Sequence, residues 1–159
     1  MTGKGSLNHN SRKFYAKNTD PNRTHWNVEY CNEDIKDVYH ELFDEALKRY
    51  NDKQTRKDRK IDDYYEKIRS GKQEKLFHEV ILQIGDKDNM GSETMEGQLA
   101  AKILDEYMKG FQERNPTLRV FAAHLHLDEA TPHLHIDFVP FTTGSKRGLD
   151  TRVSLKQAL

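Results

Sequence analysis

The stretch HLHLDEATPHLHIDF, His124–Phe138, decides how this chain is read. It holds four of the chain's eight histidines and three of its acids, all set between apolar residues. Alternation of polar and apolar side chains predicts two strands, about 118–127 and 133–140, joined by the short turn DEATP. Strand residues two apart share a face, so His133, His135 and Asp137 project together, as do His124 and His126 on the strand before. Pairing the strands as a hairpin brings the two sets opposite each other. Burying several imidazoles without partners costs a few kcal/mol, roughly 1–3 for each unsatisfied group. Three neutral imidazoles converging on one point instead suit a divalent transition metal such as Mn, Ni, Co or Zn. The best triplet is His126, His133 and His135, with a carboxylate or water completing the shell. Asp128 and Glu129, in the turn, can fix an imidazole tautomer or approach the ion directly. The isolated His25, His40 and His78 read as ordinary strand or helix residues.

Outward from the hairpin, the chain alternates strands and helices. Residues 1–22 are rich in Gly, Asn and Lys and read as an irregular segment with no strand before Gly3. In RTHWNVEY the residues Thr24, Trp26, Val28 and Tyr30 form the apolar face of a predicted strand, with Trp26 and Tyr30 in the core. Asn32 is the predicted cap of a helix over roughly 33–52, whose stripe is Ile35, Val38, Tyr39, Leu42, Ala46 and Tyr50. The following stretch, dense in both charges, predicts a solvated helix ending near Gly71. LFHEVILQIG reads as a central strand, and Leu99, Ile103, Tyr107 and Phe111 line a second helix over roughly 93–114 that Pro116 stops. After Pro140 comes a polar loop, then Ser154 as the cap of a helix whose sequence ends after one turn. That ending, and the missing first strand, predict an N-terminal fragment of a longer protein, with room for a dimer built through a C-terminal region beyond residue 159.

The 159 residues suffice for one domain. The 26 bases and 26 acids balance, which excludes a global basic field, so any nucleic-acid surface is local. The single cysteine, Cys31, excludes an internal disulfide and a cysteine-based zinc cluster. No apolar run reaches the length of a membrane span, and nothing reads as a signal peptide, so the expected location is the cytoplasm.

HLDEATPHLH, His126–His135, resembles the metal-binding motif of the Mob/Pre relaxases, plasmid mobilization and recombination proteins within the HUH endonuclease superfamily, at every specified position. Two further matches precede it in the right order. HNSR, His9–Arg12, resembles the family's HNxR motif, and DPNRTHWNVEY, Asp20–Tyr30, resembles its NPxRxxxN segment with Asp20 in place of the usual Asn. The resemblance runs from about Lys4 to the end of the chain. It implies that His126, His133 and His135 hold a divalent cation, Mn²⁺ foremost with Mg²⁺ or another divalent metal as alternatives, and that Glu129 supports the site. It also implies that His9 is the nucleophile, in place of the tyrosine used by most HUH relaxases. Arg12, Arg23 and Asn27 are then expected to position DNA or the active site, with Lys13 and Arg147 as further DNA contacts. His124 and Asp137, at the edge of the histidine face, are expected to support the metal ligands or touch DNA.

The chemistry implied is site- and strand-specific nicking and rejoining of a transfer origin, with single-stranded or hairpin plasmid DNA as partner. Resealing requires that the phosphodiester energy be kept in a covalent bond, which demands nucleophilic catalysis. A neutral imidazole is a nucleophile near pH 7 without a base, whereas tyrosine, with a pKa of about 10, needs one. Attack by His9 would leave a phosphoramidate on the 5′ side and a free 3′-hydroxyl. Arg12 could hold a neighbouring phosphate oxygen. Tyr15 and Tyr30 are the competing nucleophiles, and Trp26, if exposed, could stack on a base. Lys4, Arg12, Lys13, Lys17 and Arg23, with Lys146, Arg147 and Arg152, are the local bases expected to meet phosphates.

The expected fold is α/β, of the α+β type: an antiparallel central sheet carries the histidine hairpin, helices pack on one face, and DNA crosses the other. A rolling-circle replication initiator or HUH transposase shares the hairpin but places a tyrosine on a helix after it, and no tyrosine follows Tyr107. A non-catalytic DNA- or metal-binding fragment is the alternative from another class.

Overall fold

A computed structural model describes residues 2–3, 5–86 and 88–159; Lys4, one of the early bases, lies outside them. The elements run β1 (Thr2–Gly3), α1 (Leu7–Asn10), β2 (Val28–Asn32), α2 (Ile35–Asp52), α3 (Tyr64–Ser70), β3 (His78–Gln83), α4 (Met95–Lys109), α5 (Phe111–Arg114), β4 (Leu118–His126), β5 (His133–Thr142), β6 (Arg152–Val153) and α6 (Leu155–Ala158). The sheet is antiparallel in the order β1-β3-β5-β4-β2, with β6 added to the end of β5. The β4–β5 hairpin therefore sits at the centre, flanked on both sides, where its backbone is fully paired and its side chains are held most rigidly.

The register fixes two faces. Leu125 pairs with Leu134 and Ala123 with Ile136, while His124 pairs with His135 and His126 with His133. The first face, with Val120, Phe138 and Leu118, packs against Leu104 and Met108 of α4 and Phe111 of α5. The sequence expects helices on one face only; α4 and α5 cover this one, but α2 and α3 cover part of the other. The second face is divided: Phe121, Ala122 and Val139 meet Val38, Tyr39, Phe43 and Ala46 of α2 and Tyr64 of α3 at one end, and the histidines occupy the other. A bulge between Val120 and Ala122 makes this division possible, because the extra residue resets the alternation along β4.

Several local expectations change. The predicted strand over RTHWNVEY shortens to β2, and Thr24–Trp26 form a 3₁₀ turn. The reason is that Arg23, Thr24 and Asn27 all turn toward the hairpin and bond to it, which breaks the extended backbone. Trp26 is accordingly 42% exposed rather than core, and Tyr30 is half-buried against α4, its hydroxyl donating to Asp105. Asn32 ends β2, and the cap of α2 is Asp34, whose carboxylate accepts from the amides of Lys36 and Asp37. A strand does exist at the front: β1 pairs with β3.

The helix over 93–114 breaks at Gly110, and its buried stripe lies one position from the expected one. Ala100, Leu104 and Met108 face the sheet, whereas Leu99, Ile103 and Tyr107 are exposed. Both sets recur every four residues, so periodicity alone cannot separate them. What selects the buried set is the small Gly97 in the first turn. A Cβ there would collide with the carbonyl oxygen of Gly91, so only glycine lets the helix approach this loop. Among the described residues no helix is long and apolar enough to cross a membrane.

Candidate metal centre and nucleophile loop

His126, His133 and His135 offer one ring nitrogen each within 4.8 Å of one another, and all three are buried. Their other nitrogens are held by acceptors. His126 Nε2 donates to the Asn10 carbonyl at 2.8 Å, His133 Nδ1 to the Thr131 carbonyl at 2.9 Å, and His135 Nδ1 to Glu79 Oε2 at 3.0 Å. These acceptors assign the protons, so the lone pairs of His126 Nδ1, His133 Nε2 and His135 Nε2 face the common centre. His126 Nδ1 and His133 Nε2 are 3.4 Å apart, and His135 Nε2 is buried with no hydrogen-bond partner. Two lone pairs at that distance repel unless a cation lies near both. The donor set thus fits a divalent ion: three neutral imidazoles, with Glu129 Oε2 3.5 Å from His133 Nε2 as an adjoining carboxylate. Burial favours the neutral form of three of the histidines, pushing His126 down to about 3 and His133 and His124 down as well.

His9 stands beside this centre. Its ring centroid is 5.9 Å from that of His126 and 6.5 Å from that of His135, and its Nε2 is 3.3 Å from Glu129 Oε1. An open cleft of about 310 Å³ has His9, Asn18, Glu129, His133 and His135 in its wall. Glu129 is shared: it also accepts from Arg12 at 2.8 Å and Asn18 at 3.1 Å. A carboxylate held by those donors can orient the His9 ring and balance positive charge that develops on it.

Arg12 takes a different position from a free phosphate clamp. Its Nε and one terminal nitrogen bond Asp128 in bidentate fashion, the same nitrogen reaches Glu129, and the other donates to the His9 carbonyl at 3.0 Å and lies 3.3 Å from His9 Nε2. Four of the five guanidinium N–H groups therefore have a protein acceptor, and Arg12 acts on the loop and the acids of the turn. Its backbone has φ +55°, a left-handed conformation that costs an L-residue roughly 1–2 kcal/mol, held in place by these bonds. Burial works against the charge of Asp128, but Arg12, with Asn27 and Thr24, overrides it and holds the carboxyl at about 2.

The segment DPNRTHWN braces the same turn. The Asp20 amide donates to the Asp128 carbonyl, Arg23 to the Leu127 carbonyl at 3.2 Å, Thr24 Oγ1 to Asp128 at 3.0 Å, and the Leu127 amide donates to Asn27 Oδ1 at 2.7 Å. Asp20 also caps Arg23 at 3.1 Å, the contact an asparagine could make only as a neutral acceptor. Lys13 is exposed beside the loop. Arg147 is not part of this cluster; with Lys67, Lys72 and Arg152 it lines a separate groove of about 680 Å³ over Tyr64 and Leu149.

Three residues that motif reading left unassigned, or only at the edge, complete the site. Asn10 is fully buried, and its amide donates to Glu79 Oε2 at 2.5 Å and to Asp137 Oδ2 at 3.3 Å. Glu79 then accepts from His135. Burial and the neighbouring Glu79 push the Asp137 carboxyl up to about 8, so Asp137 holds the proton of this pair and Glu79 keeps its charge toward His135. The position of Asn10 inside HNSR is its only sequence signal, since Glu79 and Asp137 lie 69 and 127 residues away. His124 faces Glu29 at 3.1 Å, outside the triad.

Comparison with known proteins follows this geometry. The family model described as plasmid recombination enzyme, Mob_Pre, matches residues 4–159. A plasmid recombination enzyme of Streptococcus agalactiae is 28% identical over 157 residues, which cover 96% of this chain and 28% of that protein. Among solved structures, the manganese-bound MobM relaxase domain (MOBV; Mob_Pre) in complex with a 22-nucleotide oriT DNA of plasmid pMV158 is 29% identical, with a TM-score of 0.55; the match covers 95% of this chain and 67% of that one. With the histidine hairpin and the HNxR loop meeting as they do, the chain belongs to the Mob_Pre family of plasmid recombination enzymes.

Proposed function

We propose that residues 1–159 form a single relaxase domain that nicks and rejoins one DNA strand at a plasmid transfer origin, using Mn²⁺ and a covalent link to His9. The observation that carries this reading is the placement of His9 against Glu129 and 5.9 Å from the His126 ring, so that a nucleophile borders three convergent imidazole lone pairs. It is supported by the relatives: a curated plasmid recombination enzyme, and a relaxase domain solved with manganese and oriT DNA.

His126, His133 and His135 would hold the ion. When bound, it would polarise a non-bridging oxygen of the scissile phosphate and offset charge in the transition state. Glu129 Oε1, 3.3 Å from His9 Nε2, can hold one N–H of the His9 ring, which leaves the lone pair of the other nitrogen for attack on phosphorus. The P–O3′ bond breaks, the 3′-oxygen takes a proton from water, and the 5′-phosphate stays on the ring as a phosphoramidate. The same bond, attacked by a 3′-hydroxyl, reseals the strand. Arg12 bonds both Glu129 and the His9 carbonyl, which holds the loop in register with the hairpin.

The Tyr30 alternative is weakened by its surroundings. Burial and Asp105 push the Tyr30 phenol well above its usual value, and its hydroxyl is engaged with α4. The test is a denaturing gel of the protein incubated with single-stranded oligonucleotides tiling the DNA next to its own gene, with and without Mn²⁺. An acid-labile, Mn²⁺-dependent adduct that disappears in His9→Ala is expected. An adduct that survives the substitution would move the nucleophile to Tyr15, and no adduct from the wild type would leave a DNA- or metal-binding fragment.

The path of the strand is set by what is exposed beside His9. Phe14 is 49% exposed and its ring centroid is 5.6 Å from that of His9, with the exposed Lys13 and Lys17 on either side in sequence. A base stacked on Phe14 would leave its phosphate near the imidazole. Loss of one stacking platform costs about 1–3 kcal/mol, so Phe14→Ala should weaken single-strand binding by about fivefold or more while leaving Mn²⁺ affinity unchanged. Fluorescence anisotropy on a labelled oligonucleotide measures this, and an unchanged Kd would remove Phe14 from the DNA path.

A further inference from the structure

We propose that Asn10 is a positioning residue that locks the His9-bearing turn onto the metal triad, so that ion binding and docking of the turn stabilise each other. This rests on the metal reading above and extends it to a residue with no assigned role.

Asn10 reaches two of the three imidazoles by different routes. Its carbonyl accepts the N–H of His126 at 2.8 Å, and its side-chain amide holds Glu79, which accepts the N–H of His135 at 3.0 Å. The third imidazole, His133, is held within its own hairpin by Thr131 and needs nothing from the loop. The loop therefore sets the tautomer and ring angle of His126 and His135. Its position next to His9 in sequence means that the residue aligning the ligands also places the nucleophile. The fit is close: a Cβ at Gly5, just before α1, would lie 2.5 Å from the Glu79 carboxyl, so glycine lets the chain pass over that carboxylate.

The coupling has a plain electrostatic origin. An ion on the lone-pair side of an imidazole withdraws electron density and makes the opposite N–H a stronger donor. The His126 bond to the Asn10 carbonyl and the His135 bond to Glu79 both strengthen when the ion is present. By linkage, a turn held in place raises ion affinity by the factor with which the ion favours the docked turn. Arg12 clamps the other side of the turn to Asp128 and Glu129, so loss of Asn10 should loosen the turn without freeing it.

The experiment titrates Mn²⁺ alone into the wild type, Asn10→Ala, Glu79→Gln and, as a control on α2, the exposed His40→Ala by calorimetry, and follows amide hydrogen exchange of residues 5–20 with and without the ion. Loss of an outer partner of a metal ligand typically lowers affinity by about 10–100-fold, and that drop is expected for Asn10→Ala and Glu79→Gln, with His40→Ala staying within about threefold of wild type. Exchange in residues 5–20 should slow about tenfold on adding Mn²⁺ to the wild type, and should slow by clearly less in Asn10→Ala, where only the backbone bond to His126 remains. Wild-type affinity and wild-type protection in Asn10→Ala, or in Glu79→Gln if the first variant does not fold, would overturn the proposal. A wild-type protein that binds no Mn²⁺ would overturn the metal reading instead.

Discussion

His133→Ala should abolish the response of the domain to Mn²⁺ while leaving the metal-free fold close to intact. Removing a partner that only orients a ligand lowers metal affinity by about 10–100-fold, so removing a ligand should lower it by more than about a hundredfold. His133 is the cleanest of the three to remove, because its second nitrogen bonds only to Thr131, two residues away in the same hairpin. His126→Ala or His135→Ala would also free Asn10 or Glu79. In the metal-free protein the His133 lone pair faces that of His126 at 3.4 Å, an arrangement that stabilises nothing. The unfolding midpoint without metal should therefore change little. An ion at about a hundred times its Kd stabilises the folded state by about 2.7 kcal/mol. Thermal melts with and without Mn²⁺ should show that gain in the wild type and none in the variant at the same concentration. A variant that still gains would place the ion elsewhere.

The triad was legible because everything that builds it is local. The period of a strand is two, the turn is short, and the ligands lie within ten residues, so the sequence places them on one face without knowledge of the rest of the fold. The braces were not legible, because they cross the chain. Nothing in HEVILQ marks Glu79 as the acceptor for His135, and nothing in DPNRTHWN separates a residue that grips the hairpin turn from one that meets DNA. Arg12, Arg23 and Asn27 belong to the motifs that carry the family resemblance, yet each makes its contacts within the protein. Their arrangement explains why charged residues cluster in a chain of zero net charge: the acids of the turn need bases, and the loop supplies them. The helix α4 failed for the opposite reason. Two apolar stripes of equal period were available, and the choice between them rests on the close approach of Gly97 to Gly91, a contact outside the helix.

Phe121→Ala should cost about 3–5 kcal/mol of stability, the range for removing a buried phenylalanine ring. That is a fifth or more of a domain stability of about 5–15 kcal/mol, so the urea midpoint should fall sharply. Phe121 is fully buried and meets Phe77 edge-on at 5.4 Å, within the cluster formed by Val38, Tyr39 and Phe43. It is also the extra residue of the β4 bulge, and the Glu33 amide donates to its carbonyl at 2.7 Å. A strand without the bulge would put Val120 and Ala122 on the same face. Leu125 would then lie opposite to Val120, and either the helix-covered face or the histidines would be turned to the wrong side. The ring holds that irregularity in place by filling the space under α2. The backbone bonds of β4 to β5 and β2 are independent of it, so Mn²⁺ affinity of the folded variant should remain within a few-fold of wild type. Urea unfolding of the metal-free protein, with the exposed Phe14→Ala expected within about 0.5 kcal/mol of wild type as a reference, measures the effect. A loss below about 1 kcal/mol would mean that neighbouring side chains close the cavity and that the bulge is held by its backbone bonds alone.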